Sequence, residues 1–233
     1  SSAVWPSGTS GPNQVVATAK TSPAISGATI TFSASATSGS GGHASHAGTR
    51  PVGTFSANTV TTGANGQAQS TWTSPVFGGE SKIKATWGEQ SATKTVDVRV
   101  PSLQQLSGGS TYSIVGSTTT HPVNNWVTSS AASGLTGIAS DYKQAYYPTG
   151  SMPSGDRLRY NDMSLEKGGK FDLAANWCAS CSHAEHRVGV NCDVGSSNVP
   201  SSRWPTLMQI FVTRGSPNFL DETATANHWH LRF

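Results

Sequence analysis

The chain has 233 residues, 12% charged and 35% hydrophobic, with 25 Gly, 12 Pro and 3 Cys, which allows one large domain or two small ones. Seven Trp and sparse charge exclude a disordered chain, Gly and Pro spread throughout exclude a coiled coil or helical bundle, and no apolar run approaches the ~18 residues of a membrane span. The net charge of +3 falls on residues 1–101 (six basic against three acidic), while residues 102–233 balance at nine each, and no Lys/Arg cluster offers nucleic acid its electrostatic footprint.

Residues 12–100 read as short alternating strands: Val15–Ala19, Ala28–Ala34, Thr59–Thr62, Ala68–Thr73, Lys82–Thr86 and Thr93–Val100. Turn signals separate them, at Ser22-Pro23, Gly39–Gly42, Asn65-Gly66 and Gly78-Gly79. Asn-Gly before alternating residues is a strong hairpin cue. Short strands at this spacing predict an immunoglobulin-like β-sandwich over residues 1–101. The run Thr62–Ser74 followed by Ile83–Thr86 resembles the Ig-like repeats of invasin-type bacterial surface proteins. That resemblance implies a binding or spacer module.

A Pro/Ser/Gly-rich joint follows, and residues 102–117 are expected to be a linker. Composition then shifts: nine of twelve acids and five of seven His lie after residue 101. Leu135, Ile138, Ala139 and Tyr142 recur at helical spacing within Thr128–Tyr147, and Pro148-Thr149-Gly150 ends the pattern. Strands are expected at Arg157–Tyr160, Val188–Val194, Thr206–Thr213 and Asn227–Phe233. Residues 118–233 therefore read as a second, α+β domain with a small antiparallel sheet.

Two pieces of this second part carry metal-ligand chemistry. His228-Trp229-His230 on a strand would place both imidazoles on one face and Trp229 in the core. His186 and Asp193 are seven apart, so a straight strand would point them oppositely; a turn or bulge at Gly189 would let them converge. His nitrogen and carboxylate oxygen are zinc ligands, and a catalytic site keeps one position open. His, six residues, Asp, then His-X-His resembles the lysostaphin/D-Ala-D-Ala-peptidase/hedgehog superfamily of zinc hydrolases. Gly189 and the runs Asn161–Leu165 and Gly168–Asp172 resemble its D,D-carboxypeptidase and murein-endopeptidase side. The resemblance spans roughly residues 118–233. It implies that His186, Asp193 and His230 bind zinc, with His228 beside the metal as base or transition-state stabiliser and Glu222 as the candidate general base. Arg187, Arg159 and Ser164 are candidates to hold the substrate carboxylate or oxyanion.

The implied activity is hydrolysis of amide bonds, in peptidoglycan peptides first, by a secreted or cell-surface monomer without a transmembrane segment. A non-catalytic adhesin that keeps zinc and a zinc peptidase acting on proteins are the alternatives. Ser1-Ser2-Ala3-Val4 has no charged region leading an apolar core, so a signal peptide would have been removed or lie outside the chain. Three Cys suggest one disulfide and one free thiol in an oxidising compartment. Cys178 or Cys181 could pair with Cys192 and tie the loop of His186 to the strand of Asp193, or Cys178 could pair with Cys181. Cys178-X-X-Cys181 with nearby His and Cys192 is also a rival structural zinc pattern. His43 and His46 read as solvated loop histidines, His183 as a residue at the rim of the site or solvated, and His121 as packing near the helix. Trp177 and Trp204 read as core by default, with a groove lining as the alternative.

Overall fold

The computed structural model describes residues 2–178, 182, 183 and 185–233. These residues are mostly β-sheet with few helices. In the first part the strands are β1 (Ser2–Val4), β2 (Gln14–Lys20), β3 (Thr29–Ala36), β4 (Thr54–Phe55), β5 (Thr59–Thr61), β6 (Gln67–Thr73), β7 (Gly79–Trp87) and β8 (Gln90–Val98). They form two sheets, ordered β1-β8-β7-β3-β5 and β2-β6-β4. The pairs are antiparallel except β1 with β8. Alternation explains the layering: Ile30 and Phe32 of β3 and Ala68 and Trp72 of β6 point inward from facing sheets. Trp72 is fully buried, and its indole N–H donates to the Val52 carbonyl at 3.1 Å. The result is a β-rich sandwich. The first strand and the short β4 carried no sequence signal of their own.

The remaining strands are β9 (Gln104–Gln105), β10 (Tyr112–Ile114), β11 (Trp126–Val127), β12 (Leu158–Asn161), β13 (Phe171–Asp172), β14 (Ser182–His183), β15 (Asn191–Gly195), β16 (Leu220–Asp221) and β17 (His228–Arg232). A five-stranded sheet runs β10-β12-β15-β17-β16, and β9 with β11 and β13 with β14 form two-stranded ribbons. Helix α1 (Ser129–Tyr146) covers one face of the larger sheet. The Thr128 hydroxyl caps it by accepting from the Ala131 N–H at 3.3 Å. Ala131, Leu135, Ile138 and Tyr142 bury one stripe against Leu158, Tyr160, Val194 and Leu231.

Two expectations are corrected here. The apolar run Leu207–Val212 is helical, within α2 (Trp204–Thr213), and not a strand. Five apolar residues around Gln209 satisfy either period; Pro205 in the first turn favours helix, and Leu207 and Phe211, four apart, are both fully buried. Cys192 is a free, fully buried thiol, so it does not tie the His186 loop to β15. It shares the core face of β15 with Val194, opposite to Asp193. Cys181 lies outside the described residues.

The sandwich and the second core meet along a backbone seam. Lys170 N–H donates to the Val76 carbonyl at 2.8 Å, Val100 N–H to Lys167 at 2.9 Å, and Phe77 pairs with Gly169 in an antiparallel bridge. Gly78 lies where an added Cβ would sit 2.4 Å from the Gly168 oxygen, so any larger residue would push the seam apart. Two further bonds, Ala44 N–H to Thr120 and Ala47 N–H to Ala175, each 2.9 Å, extend the contact into the 39–53 loop.

Candidate metal centre

Strand register assembles the site. Across β15 and β17, Asp193 faces His230 and Gly195 faces His228, while Val194 faces Trp229. Period two sends Cys192, Val194, Trp229 and Leu231 into the core and Asp193, His228 and His230 onto the other face. That face carries a cleft of about 220 Å³ lined by His183, His186, Asp193, Glu222, His228 and His230, among others. His186 joins through the turn at Gly189, whose φ of +74° needs no Cβ. An added Cβ there would stand 2.5 Å from Leu103 Cδ2 and 3.0 Å from Val127 Cα.

Two imidazole nitrogens reach one carboxylate oxygen. His186 Nε2 lies 3.3 Å and His230 Nδ1 2.9 Å from the same Asp193 oxygen, Oδ1. The outer nitrogens are held: His186 Nδ1–H donates to the Met163 carbonyl at 3.1 Å, and His230 Nε2 faces Glu185 Oε2 at 3.3 Å. Arg232 in turn grips Glu185 through Nε at 2.6 Å and Nη2 at 2.5 Å. Partners of this kind set the tautomer and orientation of ligating imidazoles. Burial pushes the Asp193 carboxyl up, but the imidazoles of His186, His230 and His228 packed around it together outweigh burial and hold the group well below the usual carboxylate range. For His230, burial lowers the pKa, and the Asp193 hydrogen bond with the charges of Asp193 and Glu185 more than offsets it, so the net shift is upward.

At the rim, His228 Nδ1–H donates to the Ala226 carbonyl at 3.1 Å, and Nε2 lies 2.9 Å from Glu222 Oε2 and 3.6 Å from Asp193 Oδ2. Glu222 is eight residues before His230, yet the turn through 222–227 returns it to the cleft. His183 is brought closer than a rim position: its ligand atom with those of His186 and Asp193 lies within 4.8 Å. Its Nε2 is engaged by Asp162 Oδ2 at 3.2 Å; burial lowers its pKa, but that hydrogen bond together with the charges of Asp162 and Asp193 outweighs burial, so the net shift is upward. Asp162 is a site residue that the sequence reading passed over, although its Asn161-Asp162 run carried part of the resemblance. Asn124 Nδ2 fixes its other oxygen at 2.8 Å.

The three substrate candidates are placed differently. Arg159 stands exposed on β12 beside Gly195, which is itself opposite His228. Arg187 reaches away and donates to the Gly8 carbonyl at 3.3 Å. Ser164 is buried, its hydroxyl on the Leu165 carbonyl at 3.4 Å, and the structure does not bring it to the cleft. The solvated reading of His43 and His46 is corrected: His43 is 1% exposed and the His46 side chain 1%. Both belong to a second His/Asp group, with His121 and Asp172, that could hold a metal ion. Trp177 packs on both, with ring centroids 5.0 and 4.4 Å away.

No known protein family matches the chain, and no curated protein matches it. One solved structure it resembles is the C-terminal 282-residue fragment of intimin in complex with the translocated intimin receptor intimin-binding domain. The identity is 17%, the match covers 47% of this chain and 36% of that one, and the TM-score is 0.30. Among the described residues no helix is long and apolar enough to cross a membrane.

Proposed function

We propose that His186, Asp193 and His230 hold a zinc ion, and that the chain hydrolyses amide bonds, those of peptidoglycan peptides first. The observation that carries this reading is the unpartnered nitrogen of His186. Its Nδ1–H is engaged by Met163, so the neutral ring turns a bare Nε2 lone pair toward a carboxylate oxygen 3.3 Å away. That nitrogen is buried and has no hydrogen-bond partner among the described residues. Two lone pairs meeting in a buried place call for a cation between them, and a two-nitrogen, one-carboxylate donor set suits zinc. When bound, zinc lowers the pKa of its water toward ~7 and polarises a carbonyl.

The other groups of the cleft then have definite tasks. His228 Nδ1 carries a proton toward Ala226, and its Nε2 faces Glu222 Oε2, leaving the position between them to take one further proton. This pair can take the proton of an attacking water and return it to the leaving amine nitrogen. Glu185 and Asn191 keep His230 turned inward. Arg159, exposed on the same face, would be the group to meet a substrate carboxylate. The choice of peptidoglycan rests on the resemblance of the His186–Asp193 and His228–His230 spacing. A secreted or cell-surface setting, a monomeric state, the peptidase assignment of residues 118–233 and a spacer or wall-binding role for residues 1–101 belong to the same proposal.

The test pairs metal content with muropeptide analysis. Purified protein should release cross-linked muropeptides from murein, and His186→Ala and Asp193→Ala should abolish both release and the zinc held here. Zinc lost in His186→Ala without any release by the wild-type chain would favour a non-catalytic binding protein. Cleavage of a protein substrate but not of muropeptides would favour a protein peptidase. Unchanged metal content and activity in Asp193→Ala would refute the ligand assignment.

A further inference from the structure

We propose a second, structural zinc site that clamps the sandwich to the second core, with His43, His46, His121 and Asp172 as its four ligands. His43 and His46 stand on the 39–53 loop of the sandwich; His121 and Asp172 belong to the other side of the seam. Four ligand atoms point at one place. His46 Nε2 to Asp172 Oδ1 is 3.0 Å, His43 Nδ1 to His46 Nε2 is 3.3 Å, His121 Nε2 to Asp172 Oδ1 is 3.6 Å, and His43 Nδ1 to Asp172 Oδ1 is 3.7 Å. Bonds of ~2.0–2.2 Å from a tetrahedral zinc place its ligands ~3.3–3.6 Å apart. These four of the six edges bracket that range, and all six lie within 4.8 Å.

The proton inventory supports a cation. His46 Nδ1–H is engaged by the Ala44 carbonyl at 2.6 Å, so the neutral ring presents a bare Nε2 to both Asp172 Oδ1 and His43 Nδ1. His121 Nε2, aimed into the same space, is buried without a hydrogen-bond partner among the described residues. His43 is 1%, His121 2% and Asp172 0% exposed, and Phe77 and Trp177 pack on the imidazole of His43. A four-ligand, water-excluded set is the structural kind of zinc site, and the cleft, with three ligands and an open side, is the other kind.

The surroundings hold the loop in place for this task. Arg50 donates to the carbonyls of Thr37, Ser40 and Gly78, closing the loop that carries both histidines, and its guanidinium lies 5.3 Å over Trp177. The clamp also adjoins the cleft. Asp172 and Phe171 form β13, and Phe171 pairs with His183 of β14. The Phe171 ring sits between those of His121, at 4.7 Å, and His183, at 5.5 Å. An ion at the clamp would therefore fix the ribbon that carries His183 into the cleft.

The experiment is metal stoichiometry on the full chain. Wild-type protein should carry about two zinc ions, one per four-ligand or three-ligand site. His186→Ala should keep about one, and His46→Ala or His121→Ala should each lose the other. Asp172→Asn, nearly isosteric, serves where a histidine variant does not fold, with circular dichroism as the check on folding. Cobalt added to metal-free His186→Ala protein should give the strong visible absorption of four-coordinate Co²⁺, and chelation of this variant should lower its melting temperature. Failure of His186→Ala protein to take up cobalt, or unchanged zinc in His46→Ala and His121→Ala, would overturn the clamp. If wild-type, His186→Ala and His230→Ala protein all carry about one zinc and His46→Ala carries none, the clamp stands and the cleft assignment fails.

Discussion

Replacing Trp229 separates its core role from the chemistry of its neighbours His228 and His230. The indole is fully buried, 5.3 Å from Trp204 and 5.8 Å from Phe211 between ring centroids. Truncation to Ala removes that packing and should destabilise the fold by ~3–5 kcal/mol. Trp229→Phe removes two ring carbons, ~1.6 kcal/mol at ~0.8 kcal/mol per carbon. It also removes an N–H that is buried without a partner among the described residues, a relief of ~1–3 kcal/mol. The two effects oppose, so Trp229→Phe should stay within ~1.5 kcal/mol of wild type. It should also retain the zinc of the cleft, because the register of β15 with β17 is set by the backbone. Urea denaturation followed by circular dichroism, with metal analysis alongside, measures both. Equal losses in the Phe and Ala variants would show that the indole N–H has a partner, and a loss under ~1 kcal/mol for Ala would refute the core assignment.

Gly189→Ala should lose ~1–3 kcal/mol and reduce the zinc held by His186, since the new Cβ meets the Val127 backbone in a left-handed turn; normal zinc content and stability would refute the turn's role. Glu222→Gln should lower kcat for the proposed hydrolysis by ~10²–10⁴-fold with zinc unchanged, and an unaltered kcat would remove Glu222 from the proton path. Burial, with the charge of Arg50 adding, lowers the pKa of His43 from 6.5 to about 3. The unfolded chain binds that proton near pH 6.5 and the folded chain only near pH 3, so stability falls as pH drops through this window, by at most ~1.4 kcal/mol per pH unit. Urea midpoints of chelated protein across that range should show the fall, and His43→Gln should make it shallower, the remainder belonging to carboxylates such as Asp193; equal slopes in the two proteins would show that His43 titrates normally.

Local pattern was legible wherever one physical period dominated. Alternation placed β2, β3, β6, β7 and β8 to within a few residues, and Leu135, Ile138 and Tyr142 at helical spacing marked α1. Period two also put His228 and His230 on one face with Trp229 behind them. The same parity that turns Asp193 to the cleft turns Cys192 into the core, so its lack of a disulfide was implicit in the sequence though not read from it. The run Leu207–Val212 was ambiguous, because five apolar residues around Gln209 satisfy a strand or a helix, and packing of Leu207 and Phe211 on α1 decided it.

The sequence by itself determined which residues could be ligands and which strand faces carry them, because backbone geometry makes side-chain direction periodic over a few residues. Which of them meet was decided by tertiary structure. Glu222 reaches His228 through a turn, and His46 meets Asp172 across 126 positions of chain. No local period reaches across such separations. A loop rich in Gly and Ser reads as solvated until a seam of backbone hydrogen bonds folds it against another core, and that docking turned His43 and His46 from surface residues into half of a buried His/Asp cluster.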